Sequence, residues 1–125
     1  MNDSLTEKVI AAAFQVYNGL GFGFLEKVYE NALLIEMESA GITAIQQPPL
    51  KVYFKGYVVG SYFPDLIVEN QLVVEVKSLK SLAPEHEAQL IHYLTATGTD
   101  IGLLLNFGEK SVQVKRKYRL YKPKS

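Results

Sequence analysis

The stretch YFPDLIVENQLVVEVKS, residues 62–78, decides the fold. It reads as two short strands joined by a turn. Both strands are rich in Val, Leu and Ile, as strands covered on both faces are. Yet Asp65 sits on the first, and Glu75 and Lys77 sit on the second. A three-residue turn at Glu69-Asn70-Gln71 sets Val68 opposite Leu72, and therefore Asp65 opposite Glu75. Residues directly opposite each other share one side of a sheet. Lys77, two residues further on, shares that side as well. The register thus gathers two carboxylates and one ammonium. A two-residue turn would break the match unless a bulge restored it.

Opposed like charges destabilise a sheet. On spacing alone, the simpler account is that Lys77 neutralises the pair on an exposed face. The chemical account is a hard divalent cation between the carboxylates, with water completing its shell, as Mg²⁺ prefers. A cation there would acidify its water and stabilise charge on a phosphate. Lys77 would then orient the attacking water or take its proton.

Outward from the hairpin, the pattern alternates helices and strands. Ser4-Leu-Thr-Glu7 has the form of a capping box and predicts a helix ending near Gly19. Three glycines (Gly19, Gly21, Gly23) predict a bend, and a second helix runs from about Leu25 to Ala40. Ile42–Gln47, LKVYF and YVVGSYF read as strands, giving three or four before the next helix. APEHEAQLIHYLTATG is the third helix, with Pro84 in its first turn and Gly98 at its end. DIGLLLNF is an unbroken apolar strand, and SVQVKRKYRLY an amphipathic edge strand. A strand–helix–strand crossover makes 72–78 and 101–106 parallel within a mixed sheet.

Composition bounds the rest. A chain of 125 residues, 48% apolar, suits a single folded domain over 1–125. With no cysteine, disulfides and thiolate metal sites are excluded. No apolar run reaches the ~20 residues of a membrane span, and the first residues lack the pattern of a signal peptide. A cytoplasmic location is expected. Net charge is zero, but seven of the thirteen Lys and Arg fall in residues 110–124. That basic stretch is either a phosphate-binding stripe or a solvated edge protected by lysines.

Three motifs stand in order: Gly23-x-x-Glu26-x-x-Tyr29, then Pro64-Asp65 with Glu75-Val-Lys77, then Gln89-x-x-x-Tyr93. Together they resemble the PD-(D/E)XK nuclease superfamily, and within it the small bacterial and archaeal family named for its GxxExxY motif. The similarity runs from about residue 5 to residue 118.

The resemblance implies an α/β fold with a restriction-endonuclease-like core, its mixed central β-sheet flanked by helices. It implies a Mg²⁺- or Mn²⁺-dependent nuclease acting on DNA. Asp65 and Glu75 would hold the metal, with the Val76 carbonyl a third ligand and Glu26 reaching it directly or through water. Lys77 would serve the water, and Gln89 would border the reacting centre. Tyr93, His86 and Tyr29 are placed at the cleft. Packing is the stronger reading for Tyr29, a surface role for His86, and Tyr93 divides evenly between capping the core and serving the site. Neutral charge suits a domain that grips DNA as a homodimer or with a protein partner, through Lys115, Lys117 and Arg119. The other class of function is a non-catalytic module that keeps the fold and binds nucleic acid or protein.

Overall fold

The turn after Val68 sets the register of the central hairpin. In the computed structural model, which describes residues 3–121, Glu69 and Asn70 both adopt left-handed backbone, with φ of 52° and 57°. Gln71 N–H returns to the Val68 carbonyl at 3.0 Å. Strands β4 (Leu66–Val68) and β5 (Leu72–Lys77) leave this turn antiparallel, with Val68 opposite Leu72 and Leu66 opposite Val74. One step further, Asp65 meets Glu75, the register the three-residue turn requires.

The sheet grows outward from this pair. Strand β1 (Ala44–Gln46) lies antiparallel to β4. Helix α3 (Pro84–Thr97) carries the chain across to β6 (Ile101–Phe107), which pairs in parallel with β5. Strand β7 (Val112–Tyr118) returns antiparallel to β6 and forms the far edge. The order is β1-β4-β5-β6-β7, a mixed sheet. Every residue of β6 is buried, as its unbroken apolar run predicts.

Helices cover both faces. Helices α1 (Asp3–Leu20) and α2 (Glu26–Ser39) pack Val9, Ala13, Leu33 and Met37 against Leu66, Val74, Val76, Leu103 and Leu105. On the other face, Leu90 and Leu94 of α3 meet Val73 and Leu104. Gly102 lets α3 come close: a Cβ there would lie 3.1 Å from Leu90 Cδ1 and 3.2 Å from Leu94 Cδ1. Period two along β5 therefore sends Val74 and Val76 to the α1/α2 side, and Val73, Glu75 and Lys77 to the α3 side.

Three expectations need correction. Helix α1 already includes Asp3, so Ser4 lies inside its first turn and does not cap it. Five strands precede α3, not three or four. Two of them, β2 (Leu50–Phe54) and β3 (Tyr57–Tyr62), form a separate two-stranded sheet. Alternation identifies a strand but not the sheet it joins. Lys122 and Lys124 of the basic stretch lie outside the described residues. Among the described residues, no helix is long and apolar enough to cross a membrane.

Candidate active site

Asp65 and Glu75 are tied to each other through the backbone. Asp65 N–H donates to Glu75 Oε1 at 3.1 Å, and Val76 N–H donates to Asp65 Oδ2 at 2.7 Å. Tyr62 O–H also donates to Glu75 Oε1, at 2.5 Å. Each carboxylate is thus oriented through one oxygen. Asp65 Oδ1 and Glu75 Oε2 accept no hydrogen bond among the described residues.

The electrostatics follow from burial and repulsion. Burial raises the Glu75 pKa from 4.5 to about 7, and the Asp65 charge adds to the rise. The Tyr62 and Asp65 donors and Lys77 pull the other way without cancelling it. Asp65 is also raised, first by burial. The Val76 amide opposes that rise, and the charges of Glu30 and Glu26 reinforce it. The Tyr62 hydroxyl is held far above its usual range by burial and then by the Glu75 charge. Two partly buried carboxylates that resist ionising together leave a site short of positive charge.

A cleft of about 210 Å³ opens on the α3 side of the sheet. Glu75 and Lys77 of β5, Tyr62 of β3, and His86, Gln89 and Tyr93 of α3 line it, with Leu90 and Leu104 as its floor. That is smaller than the ~300 Å³ at which small-molecule sites usually begin. It has room for a phosphate and its waters. Gln89 and Tyr93 share a helix face four residues apart. The Tyr93 ring stacks on Tyr62 with centroids 4.0 Å apart and planes within 2°. His86 Nδ1 accepts the Ala83 N–H at 3.1 Å, so the histidine caps α3 from its own first turn while its ring borders the cleft.

Glu26 enters from the opposite layer. Its bend is fixed by Gly21 and Gly23, at φ of 71° and 116°, which a side chain would strain. Tyr29 holds that bend. Its hydroxyl donates to the Gly21 carbonyl at 2.5 Å and accepts the Phe24 N–H at 3.3 Å. Ser78 Oγ, one residue beyond Lys77, donates to the Phe24 carbonyl at 2.6 Å and moors the bend to the end of β5. Glu26 is the first residue of α2, where the helix dipole favours an acid. Its charge reaches Asp65. Among the described residues, no group of three or more acid or histidine side chains is arranged to hold a metal.

Tyr29 does not line the cleft. It is fully buried and its ring stacks on Phe107 at 4.4 Å, in the core beneath α1 and α2. The basic strand is also less free than its composition implies. Lys117 pairs with Glu87 at 2.6 Å and Arg119 with Asp100 at 2.6 Å. Lys115 is exposed.

Some neighbours of the site carry no signal in the sequence. Tyr62 belongs to a different sheet from Glu75, so no strand period links them. Glu30 is buried and paired with Lys27 at 2.8 Å and Gln46 at 2.7 Å. Asn106, fully buried in β6, bonds both the N–H and the carbonyl of Leu79. It fixes the loop that leads from Lys77 to α3.

A five-stranded mixed sheet between helices, with two carboxylates and a lysine on its central hairpin, is a restriction-endonuclease-like fold. The chain belongs to the PD-(D/E)XK nuclease superfamily, whose match covers residues 3–117. No curated protein matches the sequence. Among solved structures, SSO0001 superposes with a TM-score of 0.57 at 17% identity, over 97% of this chain and 61% of that one. The chain therefore spans under two thirds of that relative's length. An alkaline exonuclease (LHK-Exo) from Laribacter hongkongensis gives a TM-score of 0.49 at 12% identity, over 91% of this chain and 82% of that one. The same enzyme in complex with dAMP gives the same values.

Proposed function

We propose that the chain is a divalent-metal-dependent nuclease of the GxxExxY branch, hydrolysing DNA phosphodiester bonds at Asp65, Glu75 and Lys77. One observation carries this reading. Asp65 and Glu75 are each anchored by one oxygen and keep the other for a ligand, in a setting where both resist ionising without added positive charge.

The donor set fits Mg²⁺ or Mn²⁺. Both donors are hard carboxylate oxygens, and two carboxylates with waters suffice for Mg²⁺. Asp65 and Glu75 would hold the ion through their remaining oxygens, with the Val76 carbonyl beside them and Glu26 acting through water. A bound metal of this kind supplies an acidified water and a counter-charge for the phosphate. The remaining work belongs to the chain. Lys77 holds the attacking water and offsets charge on the phosphate. Gln89 donates to a phosphate oxygen from across the cleft. Tyr62 and the Asp65 amide keep the Glu75 carboxylate turned toward the site.

DNA grip is assigned to Lys115, Lys117 and Arg119 in a homodimer, two-fold pairing being the commonest assembly. Phosphates would displace Glu87 and Asp100 from Lys117 and Arg119. The test is a cleavage screen on linear, nicked, branched and single-stranded DNA in Mg²⁺ or Mn²⁺. Asp65→Ala, Glu75→Ala and Lys77→Ala should each abolish cleavage, with non-additive losses. Cleavage in excess chelator, or by Lys77→Ala, contradicts the mechanism. A chain that binds DNA and cuts none of these substrates is the non-catalytic module.

A further inference from the structure

The β2–β3 ribbon stands apart from the main sheet and has an unusual surface. Its base is packed: Leu50 and Tyr62 pair across the ribbon and join the core beside α3. Its tip is not. Phe54 and Tyr57 pair across the turn and are 61% and 76% exposed. Val58 and Val59 beside them are 51% and 60% exposed. Soluble surfaces rarely gather so much apolar area without a use for it.

Three further facts say what that use is. First, residues 50–64 hold two lysines, Lys51 and Lys55, and no acid. Lys55 Nζ lies 5.5 Å from the Phe54 ring centroid, so cation and ring stand together. Second, the period of two along β2 puts Phe54 on the side of Leu50, and a bulge at Val59 shifts the parity of β3, so that Tyr57, paired with Phe54, shares that side too. This is also the side of Tyr62, whose hydroxyl holds Glu75. That side thus leads from the reacting centre to the tip, four residues along β2 and roughly 14 Å at ~3.4 Å per residue. Third, Tyr62 at the base of the ribbon lines the cleft together with Glu75 and Lys77, so a strand whose phosphate sits there has the ribbon beside it.

Exposed rings with Lys55 beside them and no carboxylate match the π-faces and phosphates of an unpaired strand. A second copy fits less well, because ribbon against ribbon would oppose lysines with no acid to receive them. We propose that the β2–β3 ribbon is a stacking platform for unpaired nucleotides, and that the substrate is single-stranded DNA or DNA with a single-stranded segment. This rests on the nuclease reading for its site, but it is tested by binding alone.

The experiment uses the full chain in chelator, with a fluorescent 20-nucleotide dT oligomer and a 20-base-pair duplex as probes. The wild type should prefer the single strand. Phe54→Ala and Tyr57→Ala should each weaken single-strand binding roughly tenfold or more, and duplex binding less than twofold. Phe54→Leu should lose as much as Phe54→Ala, because an aliphatic side chain cannot stack. The chain has no tryptophan, so Phe54→Trp adds a single reporter, which should retain affinity and be quenched as dT saturates. Wild-type affinity in the Ala or Leu variants, an equal loss on duplex, or unquenched tryptophan overturns the proposal. So does a wild-type dimer that dissociates in Phe54→Ala and Tyr57→Ala, which would make the ribbon a self-association surface. Intact single-strand binding without any cleavage would sink the nuclease reading and leave the platform standing.

Discussion

Replacing Glu75 by Gln in the metal-free protein should stabilise it, and only above a defined pH. Glu75 titrates near 4.5 in an unfolded chain and at about 7 in the fold. Below pH 4.5 both states are protonated and the residue costs nothing. As pH rises from 4.5 to about 7, the unfolded chain releases its proton first, and the folded state loses stability. At about 1.4 kcal/mol per pH unit of displacement, the loss is roughly 3 kcal/mol above neutrality. Asp65, also raised, adds a loss of the same sign. The amide introduced by Glu75→Gln would keep an oxygen as acceptor for the Tyr62 O–H and the Asp65 N–H, so the geometry survives while the charge goes. At roughly 4 °C per kcal/mol for a chain of this size, Glu75→Gln should melt about 12 °C higher than wild type at pH 8 in chelator. The two should converge at pH 4.5. The assay is thermal unfolding by circular dichroism across that range. A wild-type melting temperature that stays flat from pH 5 to 8, or a Glu75→Gln curve parallel to it, would refute the reasoning.

Mg²⁺ should reverse that cost by mass action, raising wild-type stability by about 2.7 kcal/mol at ~100 times its dissociation constant; Asp65→Asn should abolish the shift in the same melts. Tyr62→Phe keeps the ring but removes the donor to Glu75, so metal affinity measured by calorimetry should fall roughly 10- to 100-fold. Gly102→Ala should cost about 1–3 kcal/mol by crowding Leu90 and Leu94, read by urea denaturation, and should lower cleavage by displacing Gln89 on α3. Glutamine at Lys115, Lys117 and Arg119 together should weaken all DNA sequences alike. Each phosphate that a side chain neutralises contributes about 0.9 to the log–log salt slope. Because phosphates displace Glu87 and Asp100 from Lys117 and Arg119, the triple variant should flatten that slope by up to about three phosphates in a salt titration of affinity.

The hairpin was legible because strand parity and a polar turn fix which side chains face each other. Once Val68 opposes Leu72, Asp65 and Glu75 have no freedom to separate. The parallel pairing of β5 with β6 was legible for a similar reason, since a helix between two strands forces a crossover. What escaped the sequence is whatever depends on packing between elements. LKVYF and YVVGSYF alternate as strands do, but nothing local says that they leave the main sheet or that Tyr62 reaches Glu75 from there. Tyr29 lies in the GxxExxY motif, yet its hydroxyl serves the glycine bend and its ring serves the core. Glu26 is placed by that bend, and its distance from the other acids is set by how α2 docks. The basic run of β7 looked open because Glu87 and Asp100 approach it from α3 and the loop that follows.

The most direct measurement is anomalous diffraction from crystals soaked in Mn²⁺. The account predicts a manganese peak bound by both Asp65 and Glu75, absent in Asp65→Asn. Saturating Mn²⁺ with no peak at these carboxylates, or a peak held by one of them alone and kept in Asp65→Asn, would contradict it.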